Sequence, residues 1–260
     1  MLKVTAVSYL NTKPFLYGLL SSPLMDHLDI DLAIPSECAR KLKSGEAEIG
    51  LVPVAVLPEL KDYKIISGFG IGCEGAVASV CLFSEVPIEE IKEIYLDYHS
   101  RTSVELLQIL LREHWKINPT LLQGAKGFEE HIQGSTAGLI IGDRALEIAN
   151  KFPYIYDLGE AWYEWVNLPF VFAVWVSVKP IDPLVSSMFE QALASGIQHI
   201  DKVIKILPSP EDHFDLKKYF TENISYTLDE NKMKALDLFL RKMTENSSGA
   251  RLANPQSQPL

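Results

Sequence analysis

The sequence predicts an α/β protein of two lobes with a ligand cleft between them. Two series of alternating strand-like and helix-like segments are separated by a glycine-rich stretch, Ile65–Phe83. A strongly apolar segment, Phe170–Val178, follows the second series and precedes a helical region. The β-α-β order predicts parallel strands covered by helices. A cleft between two such lobes is the usual place for a ligand.

The first series alternates short strands with short helices. Three apolar segments have strand character: Val4–Tyr9, Ile30–Ile34 and Glu48–Val52. Helices are expected near Pro14–Leu20, from an N-cap at Ser36 to Gly45, and as a proline-bounded turn at Pro53–Pro58. The glycines of the stretch that follows predict turns and bulges, so it is expected to hold long strands that cross between the lobes.

The second series repeats this alternation. Its strand-like segments are Ile94–Leu96, a short strand around Leu121, Ala137–Ile141 and Ile155–Leu158. An amphipathic helix is predicted over Ser103–Trp115, behind a capping box formed by Thr102 and Glu105. Two more helices are predicted, one ending at Asn150 and one over Glu160–Val166.

The last part of the chain turns helical. Helical spacing covers Asp182–His199 and Glu211–Phe220, and Thr227 with Glu230 forms a capping box before a final amphipathic helix. Residues 246–260 are polar and lack apolar periodicity, which predicts a flexible tail.

This order divides the chain into two interleaved lobes. Residues 1–83 and 179–245 are expected to form the first lobe, and residues 84–178 the second. A chain of 260 residues is long enough for two small domains. Its apolar fraction of 47% allows a sizeable core.

Composition narrows the partners and the compartment. The chain has 34 acidic and 24 basic side chains and a net charge of −10, which argues against nucleic acid and an anionic membrane surface. A small anion in a cleft is a different case, because a few N–H groups and hydroxyls set the local field there. No run approaches the roughly 18 apolar residues of a membrane span. Polar residues interrupt the apolar run near the N-terminus, whereas a cleavable signal peptide needs an unbroken one. The protein is therefore expected in the cytoplasm, with Cys38, Cys73 and Cys81 as free thiols.

Motifs of several enzyme classes are missing from the sequence. It has no G-x-S-x-G elbow, no Walker A loop and no H-E-x-x-H, and its glycine-rich stretch lacks the strand–helix context of a dinucleotide site. The six histidines have no ligand spacing, so no metal is expected.

The best positive signal is the run Ser100-Arg101-Thr102-Ser103 at a predicted strand-to-helix junction. Hydroxyls and an arginine beside the free N–H groups of a helix N-terminus can hold a carboxylate or a phosphate. The same residues fit plain helix capping with a solvated arginine equally well, and both interpretations stay open.

Other candidates end a strand-like segment or lie within one. Asn11 follows the first strand, at the end where ligands collect in parallel α/β sheets. Gly142 and Asp143 follow a later strand in the same sense, and Ser79 lies within an apolar segment. Each also fits a structural role, as a helix cap or as a buried strand serine.

Five stretches in this order resemble a known enzyme family. They are Val7–Phe15, Gly75–Ser84, Ser100–Val104, Leu139–Leu146 and Asp157–Trp165, the last continued by Leu168–Trp175. Over residues 4 to about 240, the chain closely resembles the chorismate dehydratases of the futalosine route to menaquinone. The resemblance implies a fold like that of type II periplasmic binding proteins. It also implies conversion of chorismate to 3-[(1-carboxyvinyl)oxy]benzoate and water, without a metal or an organic cofactor.

The resemblance implies roles for individual residues as well. Asn11 matches the strand-end asparagine of the family and is expected to be catalytic, while Ser79 matches the serine of the crossing segment. The residues expected to bind the substrate are Ser79, Ser100, Arg101, Thr102, Ser103, Gly142 and Asp143. No histidine, glutamate or lysine stands out as a base, so we expect the side-chain carboxylate of the substrate to accept the proton.

Two alternatives remain. A 1,4-dihydroxy-6-naphthoate synthase of the same pathway has this kind of fold, but typically shows Pro-Asn-Asp where this chain has Leu10-Asn11-Thr12, and a catalytic histidine later in the chain. A non-catalytic binding protein for small carboxylates is the alternative outside the enzymes. Such receptors normally carry a leader or a lipid-anchor cysteine, and the sequence shows neither.

Overall fold

The computed structural model describes residues 1–208 and 214–252. They form two sheets flanked by helices, which confirms the predicted α/β fold of two lobes. The strands in chain order are β1 (Leu2–Val7), β2 (Leu28–Ala33), β3 (Ile49–Pro53), β4 (Lys64–Cys73), β5 (Val80–Ser84), β6 (Glu93–Leu96), β7 (Thr120–Gln123), β8 (Thr136–Ile141), β9 (Tyr154–Asp157), β10 (Phe170–Ser177) and β11 (Ser225–Thr227).

Helices cover both sheets and join their strands. In chain order they are α1 (Lys13–Leu20), α2 (Pro35–Ser44), α3 (Arg101–Leu110), α4 (Asp143–Ile148), α5 (Leu158–Val166), α6 (Pro183–Gln198), α7 (Ile200–Ile206), α8 (Leu216–Lys218) and α9 (Glu230–Leu252). Of the shorter turns, the 3-10 helices Leu10–Thr12 and Val54–Glu59 matter most for the site. None of the helices in the described part of the chain is long and apolar enough to cross a membrane.

The six-stranded sheet has the order β11-β4-β10-β3-β1-β2, and the five-stranded sheet the order β7-β6-β8-β5-β9. In the first sheet β1 runs parallel to β2 and β3, whereas β10 runs antiparallel to β3 and β4. In the second sheet β6 runs parallel to β7 and β8, and β5 is antiparallel to β8 and β9. The parallel pairs agree with the β-α-β order of the sequence.

The chain crosses between the sheets at other points than we expected. The strand β10, assigned above to the second lobe, pairs with β3 and β4 in the first sheet, so that assignment is wrong for this strand. All eight of its residues are buried, and a strand without an exposed face needs a central place with neighbours on both sides. The strand β5, assigned mainly to the first lobe, lies in the second sheet. The outward crossing is therefore the short segment between Cys73 and Val80.

Three expected helix caps are also wrong. The helix α2 begins one residue before Ser36, with Pro35 in its first turn, although Gly45 ends it as predicted. The helix α3 is capped by Ser100 instead of Thr102, because Ser100 has the extended backbone that an N-cap needs and its Oγ accepts the N–H of Ser103 at 3.1 Å. The helix α9 is preceded by Asp229, which accepts the N–H of Lys232, while Thr227 ends β11.

Parts of two further expectations fall on residues outside the described chain. The helix expected over Glu211–Phe220 is described from residue 214, where α8 is followed by a π-helical turn at Tyr219–Asn223. The helix α9 continues to Leu252, so it extends into the segment expected to be a tail. Residues 253–260 of that segment lie outside the described residues.

Candidate active site

A cleft lies between the two sheets. A cleft between two lobes is the usual place for a ligand in a protein of this architecture. Six of the eight predicted site residues line it: Asn11, Ser79, Ser100, Thr102, Ser103 and Gly142. They come from both sheets and stand near the carboxyl ends of β1, β6 and β8, as the parallel order led us to expect.

The wall of this cleft is neutral. Its apolar part comes mainly from strand residues, among them Leu51, Ile71 and Phe172. Its polar part consists of hydroxyls, one amide and backbone groups, and no aspartate, glutamate, histidine, lysine or arginine lines it within the described chain. A ligand here meets hydrogen-bonding groups without a fixed charge, in a low-dielectric setting where each such bond is strengthened.

Asn11 sits in the 3-10 turn Leu10–Thr12 that follows β1. Its backbone carbonyl accepts a hydrogen bond of 3.0 Å from the hydroxyl of Tyr226. Its side-chain Oδ1 accepts one of 3.3 Å from Thr12, which is fully buried. The turn that presents the amide to the cleft is thus fixed from the protein side, which suits a group that must orient a ligand.

Ser79 lies at the end of the crossing segment and is buried. The hydroxyl of Tyr219 donates to its Oγ at 3.0 Å. The hydroxyl of Ser79 itself meets only the carbonyl of Val77, at a long 3.4 Å. Burial raises the pKa of Tyr219, so its phenol keeps the proton that it donates. Since Ser79 receives a strong bond and makes a weak one, its own proton is available to a ligand.

The N-terminus of α3 directs its first turn at the cleft. Ser100 caps the helix, and its hydroxyl donates to the Oγ of Ser103 at 2.9 Å. Thr102 is used differently: its hydroxyl accepts the N–H of Ala55 at 3.2 Å and donates to the carbonyl of Phe172 at 3.3 Å. Thr102 therefore joins α3 to the six-stranded sheet, while Ser100 and Ser103 keep hydroxyl groups at the helix N-terminus, where anions are favoured.

The structure does not place Arg101 in the site. Its guanidinium pairs with Glu59 at 2.5 Å, its side chain is 52% exposed, and it does not line the cleft. The helix begins at this residue, and successive helical side chains point in different directions, so Arg101 faces solvent while Ser100 and Ser103 line the cleft.

Asp143 does not line the cleft either. It is the first residue of α4, and its Oδ1 accepts the N–H of Leu10 at 2.9 Å. Leu10 belongs to the segment after β1, so this bond ties the two sheets together instead of holding a ligand. Burial raises the pKa of Asp143, against a smaller lowering by the bond from Leu10.

A second bond between the sheets was not anticipated from the sequence. The hydroxyl of Tyr9, which lines the cleft, lies 2.7 Å from Nδ1 of His99. Burial raises the pKa of Tyr9 and lowers that of His99, which favours an uncharged phenol beside a neutral imidazole, and the tautomer of the imidazole sets which of the two donates. Each residue follows a strand end, but 90 positions separate them, and a single sequence has no signal for such a pair.

Tyr219 and Phe172 are the other functional candidates that sequence reasoning missed. Tyr219 falls in a segment expected only to be helical, and Phe172 in an aromatic, apolar strand typical of a core. Both are largely buried, and only the tertiary arrangement brings them to Ser79 and to the cleft.

Metal ligands do not cluster in the described part of the chain: it contains no group of three or more histidine, cysteine, aspartate or glutamate residues that could hold an ion. Cys38, Cys73 and Cys81 are free and buried. The chemistry that the cleft offers is hydrogen bonding by hydroxyls, an amide and a helix N-terminus.

Known proteins resemble this chain in sequence and in fold. Residues 2–245 match a protein family described as menaquinone biosynthesis. A chorismate dehydratase of Thermus thermophilus is 28% identical over 229 residues, which cover 80% of this chain and 83% of the relative.

Two solved structures have a similar fold at low sequence identity. Protein AF1704 of Archaeoglobus fulgidus superposes with a TM-score of 0.69 at 17% identity, covering 95% of this chain and 97% of its own. The periplasmic aliphatic sulphonate binding protein SsuA of Escherichia coli superposes with a TM-score of 0.58 at 13% identity, covering 97% and 94%. The fold is therefore that of the periplasmic binding proteins.

Proposed function

The chain belongs to the menaquinone biosynthesis family, and from this membership we propose that it is a chorismate dehydratase, a hydro-lyase of the futalosine route. Its substrate is chorismate, and its products are 3-[(1-carboxyvinyl)oxy]benzoate and water. The observation that carries the proposal beyond family membership is the neutral cleft in which Asn11 and Ser79 meet the N-terminus of α3.

The reaction places few demands on the catalyst. Chorismate is a dianion whose ring carries a proton next to a carbon that bears a hydroxyl. Loss of both makes the ring aromatic, so the products are strongly favoured. The protein must hold two carboxylates, keep the ring in one orientation, and assist the departure of one proton and one hydroxide.

Hydroxyl and amide groups of the cleft suit these tasks. A carboxylate at the N-terminus of α3 accepts bonds from the hydroxyl of Ser103, which is oriented by Ser100, and from the first N–H groups of the helix. Asn11 can donate to a second carboxylate or to the departing hydroxyl, because an amide both donates and accepts. Ser79, oriented by Tyr219, offers a further donor. The apolar side formed by Leu51 and Phe172 suits the ring.

The proton needs an acceptor, and the wall offers no carboxylate, imidazole or amine among the described residues. We propose that the enolpyruvyl carboxylate of the substrate takes the ring proton. The electron pair of the broken C–H bond then completes the aromatic ring and expels the neighbouring hydroxide, which takes up the proton held by the enolpyruvyl carboxylate and leaves as water. The protein contributes orientation, which is worth several kcal/mol in well-aligned reactions.

Net charge is not an obstacle to this substrate. The 34 acidic residues act through the whole surface, whereas a dianion in the cleft experiences the nearest dipoles. The proposal places the protein in the cytoplasm. Its buried free thiols support this, because such thiols are typical of a reducing compartment.

A direct assay tests the proposal. Incubation with chorismate should abolish its ultraviolet spectrum and produce a compound lighter by the mass of one water, detected by mass spectrometry. Asn11→Ala should lose most of the turnover, whereas Asn118→Ala, at an exposed position outside the cleft, should retain it. Chorismate that remains unchanged with wild-type protein overturns the proposal, and equal turnover of Asn11→Ala removes the role of Asn11.

One alternative has support from the fold. The similarity to a sulphonate binding protein fits a non-catalytic receptor for small carboxylates. Calorimetry separates the two functions, since a receptor binds chorismate and releases it intact. The naphthoate synthase alternative has no matching observation in the cleft, whose wall includes no histidine in the described chain.

A further inference from the structure

The segment that crosses from β4 to β5 contains a strained turn. The N–H of Ser79 donates to the carbonyl of Val77 at 2.8 Å, across a single residue, Ala78. Ala78 has a φ of +62°, in the left-handed region that alanine rarely occupies. A three-residue turn with a positive central φ is the rare γ-turn, which persists only where the surroundings impose it.

One carboxylate imposes this turn. Asp157, at the end of β9, accepts the N–H of Val77 on Oδ1 at 3.1 Å and the N–H of Ala78 on Oδ2 at 2.6 Å. The same side chain caps α5, because Oδ1 also accepts the N–H groups of Gly159 and Glu160. Capping alone explains the last two bonds. The bonds to the crossing segment, 79 and 80 positions away in the chain, need another reason.

The reason lies in what the turn carries. Ser79 is the residue directly after Ala78, and its carbonyl accepts the N–H of Gly142 at 2.8 Å, next to the cleft. The turn therefore sets where the hydroxyl of Ser79 emerges between Tyr219 and the cleft. An extended Ala78 would rotate the peptide before Ser79 and move this hydroxyl.

We propose that Asp157 is a positioning residue: by holding the strained turn at Ala78, it presents the hydroxyl of Ser79 to the substrate. This inference rests on the proposed function, in which Ser79 donates to chorismate. It assigns no proton transfer to Asp157, which acts only through the backbone N–H groups of the turn.

The test separates this role from helix capping. Asp157→Ser keeps an N-cap oxygen for α5, but one hydroxyl does not reach both N–H groups of the turn. We expect kcat to fall by about ten-fold or more, since small misplacements of a reacting group cost up to about a hundred-fold, while KM changes much less. The matched control is Asp182→Ser, which alters the corresponding cap of α6, far from the cleft, and should leave both constants unchanged.

Ala78→Gly supplies the rescue. Glycine adopts a positive φ without strain, so the turn no longer needs its anchor. Ala78→Gly alone should remain close to wild type, and in the Asp157→Ser background it should recover several-fold of the lost kcat. If Asp157→Ser does not fold, Ala78→Val replaces it, because a β-branched residue opposes the positive φ while Asp157 stays in place.

Several results overturn the inference. They are a kcat of Asp157→Ser within two-fold of wild type, a loss that Ala78→Gly does not recover, or an unimpaired Ala78→Val enzyme. A crystal structure of Asp157→Ser gives a readout independent of turnover: a positive φ at Ala78 with the bond from Tyr219 to Ser79 intact contradicts the positioning role. Wild-type protein that leaves chorismate unchanged refutes the proposed function instead, and the structure of the variant then still decides whether Asp157 sets the turn.

Discussion

The hydroxyl of Tyr9 and Nδ1 of His99 form a hydrogen bond of 2.7 Å that joins the two sheets beside the cleft. Tyr9 follows a strand of the six-stranded sheet, and His99 follows a strand of the five-stranded sheet. The bond from Leu10 to Asp143 has the same effect nearby. These two bonds stabilise the arrangement in which the sheets meet beside the cleft, here called the closed form.

Tyr9→Phe tests what this closure contributes. The variant keeps the ring but loses one buried hydrogen bond, worth about 0.5–1.5 kcal/mol. We expect weaker ligand binding, by about two- to ten-fold, because the closed form is less favoured. Titration calorimetry with chorismate or its product measures this. Tyr163→Phe, which removes an exposed hydroxyl of α5, is the control and should bind as wild type does. Equal affinity of Tyr9→Phe and wild type contradicts the role given to the bond.

The same pair predicts a dependence of stability on pH. Burial, assisted by the nearby positive charge of Arg144, lowers the pKa of His99 from about 6.5, although Asp97 and Glu129 oppose this. Below about pH 6.5 the unfolded chain therefore binds a proton at His99 that the folded chain does not, so stability falls as the pH falls towards the lower, folded pKa. Above this range the histidine contributes no slope.

His99→Gln removes this contribution and leaves the carboxylates unchanged. Urea unfolding is measured at about pH 5.5 and at about pH 7.5, on either side of the ordinary pKa of histidine. The free energy of unfolding should fall less between the higher and the lower pH for His99→Gln than for wild type. His27→Gln, which changes an exposed histidine outside these contacts, should lose as much as wild type. A steeper loss for His99→Gln than for wild type would refute the assignment.

Tyr219→Phe tests the orientation of Ser79. The phenol is fully buried, and its loss leaves the Oγ of Ser79 without its donor. We expect a loss of roughly 1 kcal/mol in the free energy of unfolding and a several-fold lower kcat with little change in KM. Ser79→Ala should lower kcat further, because it removes the donor itself. A Tyr219→Phe enzyme as slow as Ser79→Ala would show that Tyr219 does more than orient Ser79.

The sequence predicted features that arise within one element better than contacts between residues that are distant in the chain. Local patterns located the strands and most helices, since alternation and periodicity arise within one element. The strand-end position pointed to Asn11, because strand ends on one edge of a parallel sheet converge, whereas the family resemblance pointed to Ser79, and both line the cleft. Sequence patterns failed for Asp143 and Arg101, whose partners Leu10 and Glu59 are distant in the chain.

The failures share a physical reason. The sequence alone does not show whether the carboxylate of Asp143, at the start of α4, binds a ligand or accepts the N–H of Leu10. Only the packing of one sheet against the other decides between them, and the same holds for the pair of Tyr9 and His99. The lobe of β10 was predicted wrongly for the same reason, because a continuous apolar run does not indicate which of two sheets the strand joins.

Arg101→Ala tests whether this residue lies outside the substrate-binding site. Its ion pair with Glu59 lies at the surface, where such pairs contribute about 0–1 kcal/mol. We expect kcat and KM within about two-fold of wild type, because an exposed, screened charge adds little to binding in a closed cleft. Arg40→Ala breaks a similar exposed pair on α2 and serves for comparison. A large rise in KM for Arg101→Ala alone would return the arginine to the substrate.

Gly142→Ala tests whether the closed cleft is required for activity. Gly142 has a φ of +66° and a ψ of −148°, a region open almost only to glycine, so alanine there costs about 1–3 kcal/mol in strain. A Cβ at this position would also lie 2.9 Å from the ring of Tyr9, so this ring must shift away from Gly142 to admit it. We expect reduced stability, a loss of the bond between Tyr9 and His99, and a strong loss of turnover in the chorismate assay.

Gly127→Ala separates the backbone cost from the clash. Gly127 also has a positive φ, +87°, but a Cβ there meets no atom within 4 Å. This variant should lose stability in thermal unfolding, yet keep the affinity and turnover of wild type, because it lies outside the cleft. If Gly142→Ala loses no more activity than Gly127→Ala, the contact between Gly142 and Tyr9 does not matter for closure. If it loses far more at similar stability, the closed arrangement of Tyr9 against Gly142 is the form that turns over substrate.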